Sequence, residues 1–363
     1  MNVVRPSLLV DMNKCRRNIE KMVNKAKIAG VAFRPHFKTH QSLEIGQLFK
    51  EYGVSRIAVS SLDMALYFAE EWDDIVVAIP ININAIEIIN ILASKIQLHI
   101  LVERIETILF LKDKLSAPVG VYIEVDTGYG RTGIPHNYIE YISDIANAIE
   151  EAPMMKNSGL LDHAGHTYNA RGKAEIRQIA IDAQQKMSRL AERILPHYPD
   201  MNVSSGDTPT CSAMNTFGSS TEIRTGNFCF YDLTQWQIGS CELEEIAICM
   251  ACPIIATYPD RQEVLIHGGG VHFSKDVLAH PEYGTIYGLV VHEDEWSNPI
   301  SDCYITKLSQ EHGTVKVNVP MSYRLNVGDT LYILPAHSCL TADAMPYYAD
   351  RQDNRIEKWG GIA

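Results

Sequence analysis

Apolar runs that close on glycine or small polar residues recur along the first two thirds of the chain, with helical stretches between them. The strand-like runs are VAFRPH (31–36), RIAVSS (56–61), DIVVAIP (74–80), QLHILV (97–102), VGVYIEVDTG (119–128), SGLLDHAG (158–165), NVSSGDT (202–208) and EIRTGN (222–227). Helices fit from Lys14 to Ile28, Gln41 to Tyr52, Asp63 to Glu71 and Ala174 to Leu195. Strands alternating with helices over this length predict a (β/α)8 TIM-type barrel, class α/β. The polar and glycine-rich residues gather at the C-terminal ends of the strands, where barrel active sites lie.

The texture changes after about Gln237. EIAICMACPIIATY, EVLIHGGGVHF, TIYGLVV, CYITKLS, TVKVNV and TLYILPAH read as consecutive strands with short turns. They predict a mostly β C-terminal domain, and SLLVDM (7–12) can pair with it before the chain enters the barrel. The expected division is a barrel over 13–240 and a β domain made of 1–12 plus 241–363.

Hydrophobic residues make up 46% and charged residues 21%, so a large core can be buried. The net charge of -12 disfavours nucleic acid and anionic membranes as partners, although a local basic pocket could still hold a phosphate. No apolar core of signal-peptide length precedes Asp11, and no apolar run approaches a membrane span. The eight cysteines are mostly scattered. Cys249 and Cys252 form a lone CxxC inside an apolar run, where an offset of three puts the thiols on opposite faces of a strand. The set reads as reduced thiols of a cytoplasmic protein.

Candidate chemistry starts at RPHFKTH. Lys38 follows a short apolar run that opens on Gly30, and Arg34, His36 and His40 stand close to it in sequence. Cationic neighbours and partial burial disfavour the ammonium form, which would make the amine a nucleophile; the alternative is a surface lysine beside a strand. In SSGDTPT, backbone amides near Gly206 and the hydroxyls of Ser205 and Thr208 can surround a phosphate, or the turn is a plain helix cap. TEIRTGN supplies a second glycine turn at the next strand end, with Gly226 and Asn227. The loops after strands seven and eight are the usual phosphate site of a barrel.

VDTGYGRTG carries Arg131, which could face an anionic oxygen or lie in solvent. HAGHTY carries His166 and Tyr168, which could contact a flat ring, and His163, for which a structural role is as good a reading. In PAHSCLTAD, His337 and Cys339 fall on one face if the segment is extended. A nitrogen and a thiolate sulfur with open positions suit a catalytic zinc ion; a buried cysteine beside a surface histidine is the alternative. The histidines of HGGGVHF (267–273) and QEHG (310–313) read as mostly structural.

Taken together and in order, PSLLVDMNK, RPHFKTH, IEVDTGYGRTG, HAGHTY, SSGDTPT, TEIRTGNFCFYD, SQEHG and PAHSC resemble the D-serine dehydratase and D-threonine aldolase family of fold-type III pyridoxal-phosphate enzymes. Alanine racemase is a more distant relative. The resemblance implies that Lys38 is the Schiff-base lysine and that Arg131 lies near the cofactor's phenolic oxygen. It implies that His166 and Tyr168 contact the ring. It makes Ser205, Gly206, Thr208, Gly226 and Asn227 the phosphate cup, and His337 and Cys339 the ligands and catalytic holders of Zn2+, with Mn2+ or another divalent ion as the alternative. It further implies a homodimer acting on a small D-amino acid.

The activity implied is dehydration of a D-β-hydroxy amino acid. Retro-aldol cleavage is the alternative, then racemisation, then a non-catalytic pyridoxal-phosphate carrier, against which the β domain argues. SSLDMA (60–65) and HGGGVHFSKD (267–276) depart from the family pattern. Glu222 and Arg224 compete for the place beside the pyridine nitrogen.

Overall fold

The computed structural model describes residues 3–360. The alternating pattern of the first two thirds builds a parallel sheet. Its strands are Ala32–Phe33, Ile57–Val59, Asp74–Pro80, Gln97–Val102, Val119–Asp126, Met155–Asp162, Asn202–Ser205 and Glu222–Ile223. Glu222–Ile223 returns to pair with Ala32–Phe33. Just beyond that pair His36 bridges Ala58 in parallel register. The first strand therefore touches both the last and the second, and the sheet closes on itself as a (β/α)8 barrel.

Asp74–Pro80 and Gln97–Val102 match the apolar runs that signalled them, while several other strands are shorter than theirs. VAFRPH keeps ladder pairing only at Ala32–Phe33 because Pro35 has no N–H to donate, and pairing resumes at the His36 bridge. Ala58, Val76, Leu101, Tyr122 and Leu161 come from five strands and pack together with almost no exposure. The helix Lys173–Ile194 buries Ile176, Ala180, Ala183, Met187, Leu190 and Ile194, a stripe at helical spacing.

The last third is mostly β, as expected. Ile248–Tyr258, Glu263–His267, His312–Lys316, Pro299–Leu308, Gly288–Val291 and Thr330–Pro335 pair in that order. Thr330–Pro335 then returns to Ile248–Tyr258, which closes a second, antiparallel barrel. Ser7–Val10 does join it, antiparallel to Ile248–Tyr258 and parallel to Tyr347–Asp350. EVLIHGGGVHF does not stay extended. The strand stops at His267, and Gly270–Phe273 forms a helical turn. A Cβ on Gly269 would come within 2.4 Å of the Gln310 carbonyl oxygen, so only glycine admits this backbone approach.

The chain divides into two compact units. One holds Glu20–Lys38 and Ile45–Gly226; the other holds the chain up to Ile19, Thr39–Glu44 and Asn227–Gly360. The cut thus falls at Gly226, ahead of the expected 240, and the short Thr39–Glu44 segment goes with the β unit. The outermost residues of the expected β domain, 1–2 and 361–363, lie outside the described residues. No helix among the described residues is long and apolar enough to cross a membrane.

Candidate active site

In the barrel unit Lys38 lies just past the His36 bridge and is exposed. Partial burial of this amine was expected and is not found. Nor does its own segment crowd it with cations. Arg34 turns away and pairs with Glu222 and Asp74, at 2.9 and 2.6 Å. Burial pushes His36 well below its ordinary value, with the charges of Lys38 and Arg224 adding to the effect. His40 belongs to the other unit, where burial lowers it to about 3. Both imidazoles are neutral at physiological pH.

Two glycines bring the strand ends beside Lys38 together. Gly206 sits at φ +151, and a Cβ there would meet Arg224 O at 2.1 Å; a Cβ on Gly226 would meet His36 O at 2.5 Å. Between them Thr208 Oγ1 and Thr225 Oγ1 are 2.8 Å apart and buried. Two hydroxyls sharing one bond leave one O–H to donate elsewhere. Asp207 caps the helix Thr208–Ala213 by accepting the Thr210 N–H at 2.7 Å. The cap reading of SSGDTPT is therefore correct, and it coexists with the hydroxyl pair. Ser205 hydrogen-bonds to Asp162.

Arg131 is exposed, with its guanidinium 5.5 Å from the Tyr129 ring. Asp126 holds its loop by accepting the N–H groups of Gly128 and Gly130. The HAGHTY histidines separate. His163 Nδ1 bonds to Gly206 O at 2.9 Å. Burial lowers His163 to about 3, and Lys38, Arg131 and Arg224 push the same way. His166 is lowered by burial and then by Lys186, and it also feels Asp182, both on the helix Lys173–Ile194. The charges of Lys38 and Arg131 thus reach His163, while His166 stacks against Tyr129 at 6.3 Å. Tyr168 stands 6.5 Å from the His163 ring, and Tyr129 meets His163 edge-on at 5.7 Å. Tyr129 and Thr225 were not singled out from sequence; their signal was position, inside two of the glycine turns.

One exposed amine, a hydroxyl pair between two glycine turns, two arginines, and neutral imidazoles with tyrosine rings form one donor set. It suits a group that carries an aldehyde, a phosphate and a flat ring, as pyridoxal phosphate does.

In the β unit the segment after Thr330–Pro335 is not extended. Ser338–Ala344 is a helix, His337 precedes it, and Cys339 lies in its first turn. The one-face argument from an extended segment therefore fails. The two side chains are nevertheless hydrogen-bonded to each other. His337 Nδ1 lies 3.3 Å from Asp232 Oδ2. That carboxylate is fully buried and also accepts from Ser338 N and Asn227 Nδ2, each at 2.8 Å. Burial works against a charged His337, but Cys339 and Asp232 outweigh it and push the ring up to about 11. A carboxylate on Nδ1 fixes the tautomer and leaves Nε2 for a metal, which is how metal-bound histidines are usually held. Cys339 Sγ is 3.2 Å from Thr39 Oγ1 and accepts from Asn227 Nδ2 at 3.6 Å. The side-chain amide of Asn227, expected in a phosphate cup, bonds here to the thiol and to Asp232. The nitrogen–sulfur pair with its buried carboxylate fits a divalent ion.

A second donor cluster, His267, His272 and Glu311, converges within 4.8 Å. The Gly269 N–H donates to His272 Nδ1 at 3.1 Å, so the ring proton sits on Nε2, which faces Glu311 at 4.0 Å. The lone pair a metal needs is taken, and the cluster supports the structural reading of these histidines. None of the eight cysteines forms a disulfide, and Cys249 and Cys252 are buried thiols.

Residues 10–233 match the alanine racemase N-terminal domain. The chain belongs to that family. Residues 247–349 match the putative serine dehydratase domain. A D-serine dehydratase of Dictyostelium discoideum is 28% identical, covering 98% of this chain and 95% of that protein. The D-threo-3-hydroxyaspartate dehydratase of a Delftia strain is 26% identical over 98% and 96%. Its solved structure superposes with a TM-score of 0.91, covering 99% of this chain and 98% of that one at 25% identity. A 3-hydroxy-D-aspartate aldolase of Paracoccus denitrificans is 24% identical over 97% and 89%.

Proposed function

We propose that this chain is a lyase that uses pyridoxal phosphate and a divalent metal ion. It would dehydrate a D-configured β-hydroxy amino acid, such as D-serine or D-threo-3-hydroxyaspartate, to a keto acid and ammonia. The observation that carries the reading is the His337–Cys339 pair with Asp232 behind the imidazole. A barrel that only carried the cofactor would have no use for it. The dehydratase relatives support the same reaction.

Lys38 would hold the cofactor through Nζ and, once released by the substrate amine, take the Cα proton at the same atom. Thr208, Thr225 and the turns at Gly206 and Gly226 would bind the phosphate. Arg131 would face the phenolic oxygen, with His163 and Tyr168 beside the ring. When bound, pyridoxal phosphate supplies the electron sink for charge left at Cα. His337 Nε2 and Cys339 Sγ would hold the ion, zinc by the softness of the thiolate, with manganese as the alternative. The ion supplies Lewis acidity at the β-hydroxyl, a poor leaving group in water. Across the reaction water is lost and regained, and ammonia leaves.

Retro-aldol cleavage is the second reading, supported by the aldolase relative. A racemase would need a second base opposite Lys38. We place the enzyme in the cytoplasm, in keeping with cysteines that form no disulfide, as a homodimer, the commonest closed assembly. Light scattering that finds an active monomer at assay concentration counts against the dimer. The reaction itself is tested by offering purified protein D-serine, L-serine, D-threonine and D-threo-3-hydroxyaspartate and scoring keto acid against glycine. Keto acid from the D-hydroxy acids alone supports dehydration. Glycine as the main product selects the aldolase.

A further inference from the structure

A line of buried polar side chains connects the RPHFKTH segment to Arg224 inside the barrel unit. Arg34 is 1% exposed; its Nε donates to Glu222 Oε2 at 2.9 Å and its Nη1 to Asp74 Oδ1 at 2.6 Å. The other oxygen of Glu222 accepts the Ser204 hydroxyl. Ser204 Oγ accepts from Arg224 Nη1 at 2.7 Å, and Arg224 Nη2 donates to Asp162 O at 2.7 Å. A guanidinium can only donate and a carboxylate can only accept. Ser204 therefore has to give its proton to Glu222 and its lone pair to Arg224. One arrangement satisfies every member, and rotating Glu222 would leave Arg34 Nε and the Ser204 hydroxyl without their acceptor in a buried setting.

The same bonds favour Arg224 over Glu222 at the cofactor. Both carboxylate oxygens of Glu222 are engaged. The charge of Arg224 reaches His36 and His163, as that of Lys38 does. Arg56 also approaches Glu222, but at 3.5 Å and from a side chain 39% exposed, so it does not replace the Arg34 contact.

We propose that Arg34 is a positioning residue: acting through Glu222 and Ser204, it fixes the direction in which Arg224 presents its guanidinium to the cofactor held by Lys38. The inference rests on the function proposed above. It assigns to Arg34 a role at the reacting end of the barrel, where sequence placed it beside Lys38 as a mere cationic neighbour.

Two variants test it. R34K keeps the charge but loses the fork that grips two carboxylates. S204A cuts the line by one hydroxyl and changes no charge. The readouts are the pH titration of the cofactor's visible absorption, the melting temperature and crystal structures. Each variant is expected to move the titration midpoint the same way by about half a unit or more, ~threefold in proton affinity. The double variant should move it no further than the larger single one, as for residues acting in series. In the crystals Arg224 should leave Asp162 O. A melting temperature that falls while titration and Arg224 stay at wild type would reduce Arg34 to a structural residue and overturn the proposal, as would additive shifts. Wild-type protein that takes up no cofactor at Lys38 refutes the proposed function instead. The position of Arg224 in the variant crystals then still decides whether the line exists.

Discussion

His337 Nδ1 lies 3.3 Å from the buried carboxylate of Asp232, which is also tied to Ser338 and Asn227. The imidazole is thus held by a group that would not itself touch the metal. Asp232→Asn should weaken metal binding by about 10- to 100-fold, the usual cost of losing such an outer partner. The visible band of the cofactor should remain. Zinc titration followed by a competing chelator measures the first, and absorbance the second. An unchanged zinc affinity would remove Asp232 from the metal centre.

Lys38 should carry the cofactor. Borohydride treatment of the yellow protein should fix the label on Lys38, and peptide mass mapping reads the position. Lys38→Ala should keep weakened cofactor binding through the two glycine turns and lose turnover. A label on another lysine contradicts the assignment.

The separation of His163 from His166 gives a paired test. His163 feels the charges of Lys38 and Arg131, whereas His166 feels those of Lys186, Asp182 and Asp126. His163→Ala should lower cofactor affinity by ~tenfold, about 1.4 kcal/mol, and His166→Ala by far less. Fluorescence titration of the apoprotein measures both, and the reverse order would restore His166 as the ring-facing residue.

Asp74 sets part of the acid limit of stability. Burial raises its carboxyl, but the His99 ring 3.3 Å away and the charge and bond of Arg34 outweigh it and hold it at about 2. Its folded value lies below the ordinary 3.8, so the ionised form favours the fold. The contribution, about 2 kcal/mol, is complete above the ordinary carboxylate range and lost as pH falls through about 2. Urea unfolding between pH 5 and pH 2 should show that slope, and Asp74→Asn should flatten it. An equal slope in both proteins would mean that other carboxylates dominate.

The barrel and the β unit were legible because strand-length apolar runs alternate with helical stretches in the right number, although the period is uneven. Ser7–Val10 was legible as a β-unit strand because its first helix follows it directly. What sequence missed depended on local backbone or long-range burial. PAHSC reads as extended until the helix Ser338–Ala344 starts at it. His337 and Cys339 do come together, although not for the reason that an extended segment gives. Arg34 reads as a cation near Lys38, yet its partners Asp74 and Glu222 stand 40 and 188 positions away. No local pattern announces such a pairing. Asp232 carried a faint signal as the cap of Leu233–Gln237, accepting the Gln235 N–H, but nothing in that spacing points to His337.

The proposed reaction requires that a metal ion bound through His337 and Cys339 expel the β-hydroxyl. Keto-acid formation from D-serine should be followed in protein stripped by a chelator and then resupplied with zinc, with absorbance recorded throughout. The expected result is loss of keto acid on stripping, an undiminished yellow band, and return of activity with zinc. Stripped protein that converts D-serine at the full rate would contradict the account.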